Sequence, residues 1–288
     1  MTAEALAQDF ESHRPRLRAV AYRMLGSLAE ADDAVQEAWI RLSRSDFGEV
    51  RNLAAWLTTV VGRVCLNVLE ARRVRREEPL DVHVPDPIVS PLDSGDPENE
   101  ALIADSVGLA LMVVLDTLEP GERLAFVLHD MFTVPFDDIA PMVGRSSAAA
   151  RQLASRARRR VQVAQRPEVD LPRQREVVDA FLAASRRGDF EALLNVLDPD
   201  VVLRADYGAA GGSQLLRGAQ TVARGARAFA RTGLMARLVL VNGALGAMAV
   251  TPEGEILTVM GLTIRDGRIA EMNVLGDPQR LTALELSR

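Results

Sequence analysis

A run of basic and small polar residues lies near the middle of the chain, in "GRSSAAARQLASRARRRV" at positions 144–161. Residues 141–166 contain no acid, although the chain as a whole has a net charge of −6. Guanidinium groups pair with phosphate oxygens, and polar side chains on the first turns of a helix reach base edges in a major groove. These residue types therefore indicate local contact with nucleic acid, not polyanion binding by the whole surface.

The spacing of apolar residues around this run predicts a helix-turn-helix. The positions predicted to face inward are Phe136, Ile139, Ala140 and Val143 in the first helix, then Ala150, Leu153, Ala157 and Val161 in the second. Gly144 suits the turn, and Ser146 suits the N-cap of the second helix. The alternative is a solvated bundle helix, but such a helix normally mixes acids and bases.

The polar face of this second helix supplies the candidate DNA contacts. They are Arg145, Ser146, Ser147, Arg151, Gln152, Ser155, Arg156, Arg158 and Arg159. Residues in the early turns are expected to read bases, and the later arginines are expected to bind phosphates.

Two further helices carry residues suited to binding. The stretch "NLAAWLTTVVGRVCLNVLEARRVRR" predicts one long helix that ends in a cluster of arginines, only some of which a favourable helix dipole explains. The stretch "AEADDAVQEAWIRL" predicts an amphipathic helix whose buried stripe is Ala31, Val35, Ala38 and Leu42. Its acidic outer face borders Trp39. Such a face is either simply solvated or binds a basic helix of a partner.

The elements that position these residues divide by composition. Residues 3–76 and 101–166 read as all-α, and the acidic, Pro-rich residues 77–100 read as an extended linker. After a second short linker, residues 173–288 combine a helix with alternating β-type runs and an "RDGR" hairpin turn. The expected fold is thus multidomain, with all-α domains followed by an α+β domain.

Several functional classes are disfavoured by the composition. The chain has one cysteine, Cys65, which excludes an internal disulfide. The simplest interpretation of Cys65 is a small buried residue. We find no His/Cys cluster for a metal, no signal peptide and no apolar run of about 18 residues for a membrane span. We therefore expect a cytoplasmic protein with no metal and no cofactor.

At this point a family resemblance is evident. The stretches "AYRMLGSLAEADDAVQEAWIRL" and "AAWLTTVVGRVCLNVL" resemble region 2 of extracytoplasmic-function sigma factors of the sigma-70 class. The stretch "LEPGERLAFVLHDMFTVPFDDIAPMVGRSSAAARQLASRARRRV" resembles region 4 of the same class, including its helix-turn-helix. The C-terminal part resembles a SnoaL-like domain, a cone-shaped α+β barrel of the NTF2-like type.

The resemblance implies partners for each surface. The β′ clamp helices of core RNA polymerase would contact Asp32, Asp33, Gln36, Glu37 and Trp39. The helix "PGERLAFVLHDM" would face the polymerase β flap. The loop "SDFGEVRN" and the next helix would melt and read the −10 promoter element, through Asn52, Trp56, Arg63, Asn67, Arg72 and Arg73. The helix-turn-helix would read the −35 element.

Three short motifs resemble those of sigma factors with a fused SnoaL-like domain. They are "VPDP", "ADYGAAGG", in which Tyr207 replaces an expected glycine, and "GDPQRL". They imply a regulatory contact formed by Val84, Pro85, Asp86, Pro87, Asp206, Tyr207, Gly208, Asp277, Pro278 and Leu281. Regulation in cis would make a separate anti-sigma protein unnecessary.

One alternative function stays open from the sequence alone. A SnoaL-type enzyme or ligand sensor fused to a DNA-binding module would also combine these elements. Acid–base chemistry there would fall to Asp206, Tyr207, Glu271 or Asp277, since the three histidines precede the domain. Such a regulator would not need the acidic helix.

Overall fold

The protein is described by a computed structural model over residues 3–45, 52–75, 82–92, 108–163, 171–229 and 232–284. The chain forms two compact units, one of Met1–Pro79 with Val114–Gln165 and the other of Leu80–Val113 with Arg166–Arg288. The expected boundaries followed the order of the chain. The first unit combines the first predicted all-α segment with residues 114–165 of the second, and the second unit combines residues 80–113 with the C-terminal domain.

The first unit is all-α. Its elements are α1 (Ala3–Leu25), α2 (Leu28–Ser43), α3 (Leu53–Arg75), the last turn of α4 (the whole helix being Leu109–Asp116), α5 (Pro120–Phe126), a π-helical turn (Val127–Met131), α6 (Phe136–Ile139) and α7 (Ser147–Val163). The predicted stripe of α2, from Ala31 to Leu42, is fully buried, because those four positions share one helical face.

An arginine lies at the centre of this helical unit. The side chain of Arg123 is 1% exposed, and its Nε donates to the carbonyl oxygen of Arg23 at 3.0 Å. Its Nη1 donates to Oδ1 of Asp116 at 2.9 Å. Burial lowers the pKa of Arg123, and the nearby Asp116 carboxylate opposes that shift. The bond from Nε therefore ties α5 to α1 inside one core.

Within the described residues, one helix has the length and hydropathy of a membrane span. It is the Leu53–Val74 portion of α3, with a mean hydropathy of 1.3 in its most apolar window. This helix packs against α1, α2 and α5 in the helical unit. These contacts bury part of its apolar surface, and it resembles a membrane span by length and composition only.

The second unit is α+β. Its helices are α8 (Leu171–Arg187), α9 (Phe190–Val196), α10 (Gly208–Gly211), α11 (Ala219–Phe229) and α12 (Pro278–Ala283). Its strands are β1 (Val89–Ser90), β2 (Leu197–Asp206), β3 (Ser213–Arg217), β4 (Met235–Val241), β5 (Ala244–Val250), β6 (Ile256–Arg265) and β7 (Arg268–Leu275). They form one sheet in the order β1-β4-β5-β6-β7-β2-β3, in which only β2 and β7 pair in parallel.

The hairpin turns follow from local sequence. Asp266 and Gly267 have φ values of 50° and 71°, and Arg265 pairs with Arg268 across the turn. Positive φ at both central residues is the geometry that Asp-Gly favours. The predicted "RDGR" hairpin is therefore confirmed.

The linker contributes to the sheet of the second unit. Residues 82–92 are extended, and Val89 and Ser90 pair with Val241 and Leu240 of β4. The N–H of Asn242 also donates to the carbonyl oxygen of Ile88 at 2.7 Å. Residues 77–81 and 93–100 of the first predicted linker, and residues 166–170 of the second, lie outside the described residues.

Candidate DNA, polymerase and linker-holding sites

The acidic surface of α2 is exposed on the side away from its buried stripe. Asp32, Asp33 and Gln36 are exposed, and Glu37 is half-buried. Asp32 accepts two hydrogen bonds from Arg18 at 2.7 and 3.1 Å, and Glu37 accepts one from Arg41 at 2.8 Å. Exposed ion pairs of this kind contribute little stability, so these carboxylates are available to a basic partner.

Trp39 lies at the edge of this acidic surface. Its ring is half-buried, and it packs against Phe10 of α1 with the ring centroids 5.0 Å apart. The contact fixes the ring in one orientation. The arrangement presents an ordered aromatic edge beside carboxylates, as the sequence predicted.

The predicted −10 residues lie along α3 and at its start, except for the preceding loop. Residues 46–51 of that loop lie outside the described residues. Asn52 caps the helix, since its Oδ1 accepts from the N–H of Ala55 at 3.1 Å. Asn67 and Arg63 are exposed, and Trp56 is half-buried. One helix therefore carries all of these side chains, and their role in reading DNA stays a prediction.

Two arginines of this set, Arg72 and Arg73, form contacts with other residues of the helical unit. Arg72 donates to the carbonyl oxygen of Leu25 at 3.1 Å and forms an ion pair with Glu30. Arg73 lies 2.8 Å from Glu119 in an exposed pair. Arg72 therefore ties α3 to the junction of α1 and α2, a role that the sequence did not indicate.

The helix-turn-helix has the predicted geometry at its turn. Gly144 adopts φ +62°, and Ser146 Oγ accepts from the N–H of Ala149 at 3.3 Å, as an N-cap residue does. Ala150 and Ala157 are fully buried, as is Ala154, which the predicted inner stripe omitted. Leu153 and Val161 are only half-buried. The helical register of α7 therefore leaves its polar face outward.

The polar residues of α7 differ in how they are held. Gln152, Arg156 and Arg159 are exposed, as is Arg145 before the helix, whereas Ser147, Ser155 and Arg158 are half-buried. Arg158 lies 2.5 Å from Asp130, and Ser147 Oγ donates to Asp137 at 2.5 Å. The exposed Arg151 lies over the ring of Phe136 with its guanidinium carbon 5.2 Å from the centroid. Arg159 is thus freer to reach a phosphate than Arg158.

The predicted regulatory residues come together in the second unit around one arginine. Arg280 Nε lies 2.6 Å from Oδ1 of Asp86, and its Nη1 lies 2.9 Å from Oδ2 of Asp206. Its Nη2 donates to the carbonyl oxygen of Val84 at 2.6 Å, and the N–H of Val84 donates to Oδ2 of Asp206 at 3.2 Å. We name Val84, Asp86, Asp206 and Arg280 the linker-holding site. The buried Pro85 and Pro87 flank Asp86.

Helix α12 presents Arg280 to this site. Asp277 caps the helix, because its Oδ1 accepts from the N–H groups of Gln279 and Arg280 at 2.9 and 3.4 Å. Leu281 is buried, whereas Pro278 at the first turn is exposed. A Cβ at Gly208 would lie 2.3 Å from Oδ2 of Asp277, so glycine is required for this close approach. The three predicted segments are therefore in mutual contact.

A cavity of about 270 Å³ lies inside the second unit. Its apolar lining includes Phe181, Leu216, Met248, Met260, Met272 and Val274, and its polar lining is Ser185, Arg186, Tyr207, Gln214 and Thr258. No carboxylate or histidine is among these lining residues, all of which the structure describes. Burial raises the pKa of Tyr207, so its phenol stays protonated near neutral pH.

The carboxylates considered for acid–base chemistry lie outside this lining. Glu271 accepts from Arg204 at 3.1 Å and also pairs with Arg265. Asp206 belongs to the linker-holding site, and Asp277 caps α12. The residues that line the cavity thus provide no general base.

Sequence reasoning missed the residue on which the linker-holding site depends. Arg280 is part of the quoted "GDPQRL" motif, but only its neighbours were named as contacts. The signal that identifies it is charge complementarity, since a buried Asp86 in the linker requires a cation. Arg123 was missed as well, because arginine is rarely buried in a core.

Comparison with known proteins defines the class. Residues 10–76 match sigma-70 region 2, and residues 108–161 match sigma-70 region 4. These matches, with an acidic helix in the first and a helix-turn-helix in the second, define a sigma factor of the sigma-70 class.

Relatives that match over nearly their whole length define the class more closely. The chain is 37% identical over 296 residues to the ECF RNA polymerase sigma factor SigJ of Mycobacterium tuberculosis, covering 96% of this chain and 94% of that protein. It is 36% identical over 293 residues to the probable sigma factor SigI of the same species, covering 98% and 96%. The crystal structure of SigJ matches with a TM-score of 0.74 at 35% identity, covering 98% of this chain and 100% of that chain.

The chain belongs to the extracytoplasmic-function family of RNA polymerase sigma factors. As a sigma factor, it directs core RNA polymerase to promoter DNA, and it is not an enzyme. The alternative of a SnoaL-type enzyme fused to a DNA-binding module is not favoured.

Proposed function

We propose that the C-terminal domain regulates this sigma factor in cis by holding the linker between regions 2 and 4. The observation that carries the proposal is the linker-holding site, in which Arg280 bonds to Asp86, Asp206 and the backbone of Val84. The linker is covalently continuous with both promoter-binding regions. Restraining it therefore restricts the arrangements that the two regions can adopt.

The roles of the individual surfaces are part of the same proposal. The acidic surface of α2 binds the β′ clamp helices of polymerase, and the face of α5 binds the β flap. Helix α3, with the loop before it, reads the −10 element, and α7 reads the −35 element. The protein acts in the cytoplasm with polymerase and requires no separate anti-sigma protein.

Packing within the helical unit supports a need for rearrangement. A Cβ at Gly62 of α3 would lie 3.3 to 3.4 Å from Met142, Leu124 and Leu128, so region 2 and region 4 are in direct contact there. Arg63 also approaches the carbonyl oxygen of Pro141 at 3.5 Å. Because the two regions bind separate promoter elements, this contact must open on DNA. A restrained linker changes the free energy of that opening.

The experiment that tests the proposal is promoter-dependent transcription with core polymerase. The full chain is compared with Arg280→Ala and with Arg268→Ala, in which the replaced side chain is exposed at the start of β7. We expect Arg280→Ala to change activity about fivefold or more, as coupling energies of this kind do, and Arg268→Ala to leave it unchanged. Equal activity of all three proteins at every concentration would overturn regulation in cis.

A further inference from the structure

The cavity of the second unit has the composition of a binding site for a small apolar molecule. Its volume of about 270 Å³ is close to the lower end of the range of about 300–1,000 Å³ typical of ligand pockets. The walls are mostly apolar, and three of the lining residues are methionines, which adapt their shape to a guest. A few polar groups lie among them, as in sites that orient a ligand.

The polar groups of the lining indicate what kind of molecule fits. Ser185 Oγ is buried and has no hydrogen-bond partner among the described residues. Buried hydroxyl groups are normally paired, so this oxygen lacks a partner that a ligand would supply. The charged lining residue is Arg186, which is exposed at the carboxyl end of α8, where water and salt screen its charge from the apolar interior. An uncharged guest fits this environment.

One wall of the cavity is shared with the linker-holding site. Tyr207 lines the cavity and directly follows Asp206, which accepts from Arg280 and from the N–H of Val84. A Cβ at Gly276 would lie 2.4 Å from Cδ1 of Tyr207, so the ring rests on the backbone just before Asp277. The N–H of Gly276 donates to the carbonyl oxygen of Asp206 at 2.7 Å. The ring is therefore connected through the backbone to Asp206 on one side and rests against the residue before Asp277 on the other.

We infer that the cavity binds an uncharged, lipophilic small molecule carrying a hydrogen-bonding group, and that its occupancy loosens the linker-holding site through Tyr207. The second half of this inference rests on the proposed regulation in cis. A ligand that fills the cavity presses the ring against Gly276, where no space is left. The ring moves together with Asp206, and the bonds to Val84 and Arg280 lengthen.

Binding is tested first, on the full chain and without polymerase. The probe is N-phenyl-1-naphthylamine, an uncharged fluorophore, and its matched anionic control is the same molecule with an 8-sulfonate. We expect saturable binding of the neutral probe and binding at least about tenfold weaker for the sulfonate, because burying a charge is unfavourable. Absence of saturable binding, or tighter binding of the sulfonate, would overturn the site.

Variants place the probe in the cavity. Ala226→Phe on α11 fills space in the lining, whereas Thr221→Phe adds the same ring at an exposed position of the same helix. We expect Ala226→Phe to weaken probe binding at least about tenfold and Thr221→Phe to have no effect. Ala236→Phe, from β4, repeats the test if Ala226→Phe does not fold. Undiminished binding to a folded, filled variant would overturn the assignment.

Coupling is tested by hydrogen exchange of residues 82–92. We expect the neutral probe to accelerate exchange of the Val84 amide in the wild type and in Tyr207→Phe, which keeps the ring. In Tyr207→Gly the probe still binds, but exchange at Val84 no longer responds. Unchanged or slower exchange in the wild type would overturn the coupling. A transcription defect alone bears on the regulatory proposal and not on ligand binding, which these measurements detect separately.

Discussion

Nε of Arg280 lies 2.6 Å from Oδ1 of Asp86, although the two residues are 194 positions apart in the chain. Their side chains are 22% and 8% exposed, so the ion pair is largely removed from water. The same guanidinium also pairs with Asp206, whose side chain is 11% exposed. One arginine thus pairs with two buried carboxylates, one from the linker and one from the sheet.

Replacing this arginine is expected to destabilise the second unit. Arg280→Ala removes the guanidinium that pairs with the buried Asp86 and Asp206, and breaking a buried pair in this way costs about 3 to 5 kcal/mol. Because Arg280 keeps some contact with water, we expect about 3 kcal/mol, measured by urea unfolding. Arg268→Ala, with an exposed side chain, is the control and is expected to change stability by less than about 0.5 kcal/mol. Similar destabilisation of both variants would contradict a stabilising role for the buried ion pairs.

Reversing charge on α2 is expected to weaken binding to core polymerase. Asp33→Arg combined with Glu37→Arg alters the exposed acidic face and leaves the buried stripe of α2 intact. We expect affinity for core, measured by pull-down or fluorescence titration, to fall about tenfold or more. The matched control is Asp9→Arg with Glu11→Arg, the same change of charge on exposed positions of α1. Unchanged affinity of the α2 variant would remove the clamp contact from the proposal.

Substitutions in α7 are expected to separate base reading from phosphate binding. Arg151→Ala with Gln152→Ala reduces discrimination among −35 sequences, by about 1 to 3 kcal/mol for each base that is no longer read. Arg158→Ala with Arg159→Ala weakens binding to all sequences and flattens its salt dependence. Arg159 contributes more to this effect, because Arg158 is already paired with Asp130. Titration of a set of −35 sequences at several salt concentrations measures both effects, and an equal decrease in discrimination for the two variants would count against the geometry.

Enlarging Gly62 is expected to open the contact between regions 2 and 4. In Gly62→Ala the new Cβ lies 3.3 Å from Sδ of Met142, which a flexible methionine accommodates. Gly62→Leu overfills the same contact and separates α3 from α5. We expect faster hydrogen exchange in α5 for Gly62→Leu and wild-type exchange for Gly62→Ala. Identical exchange in all three proteins would show that this contact does not hold the regions together.

The buried thiol gives a prediction on pH. Burial raises the pKa of Cys65 from an ordinary value of 9.0 to about 12. The folded state therefore favours the protonated thiol, and this stability is present below pH 9 and is lost as the pH rises toward 12. Between pH 8 and pH 10.5 the wild type should lose on the order of 2 kcal/mol more than Cys65→Ala in chemical unfolding. Parallel pH profiles of the two proteins would contradict the shift.

Patterns within single elements could be read from the sequence. The buried stripe of α2, the turn at Gly144 and the hairpin at Asp266 and Gly267 each depend on neighbours within a few residues. Helical periodicity and the backbone freedom of glycine determine such features locally. The omission of Ala154 from the predicted stripe of α7 reflects how little an alanine-rich helix distinguishes its two faces.

Features that depend on distant partners could not be read in this way. The pairing of Val89 and Ser90 with β4 joins two residues of the linker to a strand far along the chain. The burial of Arg123 depends on Asp116 and on a carbonyl of α1, and Arg72 forms an ion pair with Glu30. In each case the environment of the arginine is determined by tertiary packing. Arg123 lies in the core, whereas other arginines of the chain are exposed to water.

The linker and the domain that contacts it belong to one chain, so the fraction of molecules in which this contact forms does not depend on the protein concentration. The segment that is held and the domain that holds it are synthesised as one chain, in which Asp86 and Arg280 are always present in equal amounts. Their association is unimolecular, so the fraction of molecules with a held linker does not change when expression rises or falls. An inhibitor on a separate chain would be titrated by its target, whereas this association depends only on the strength of contacts within one chain.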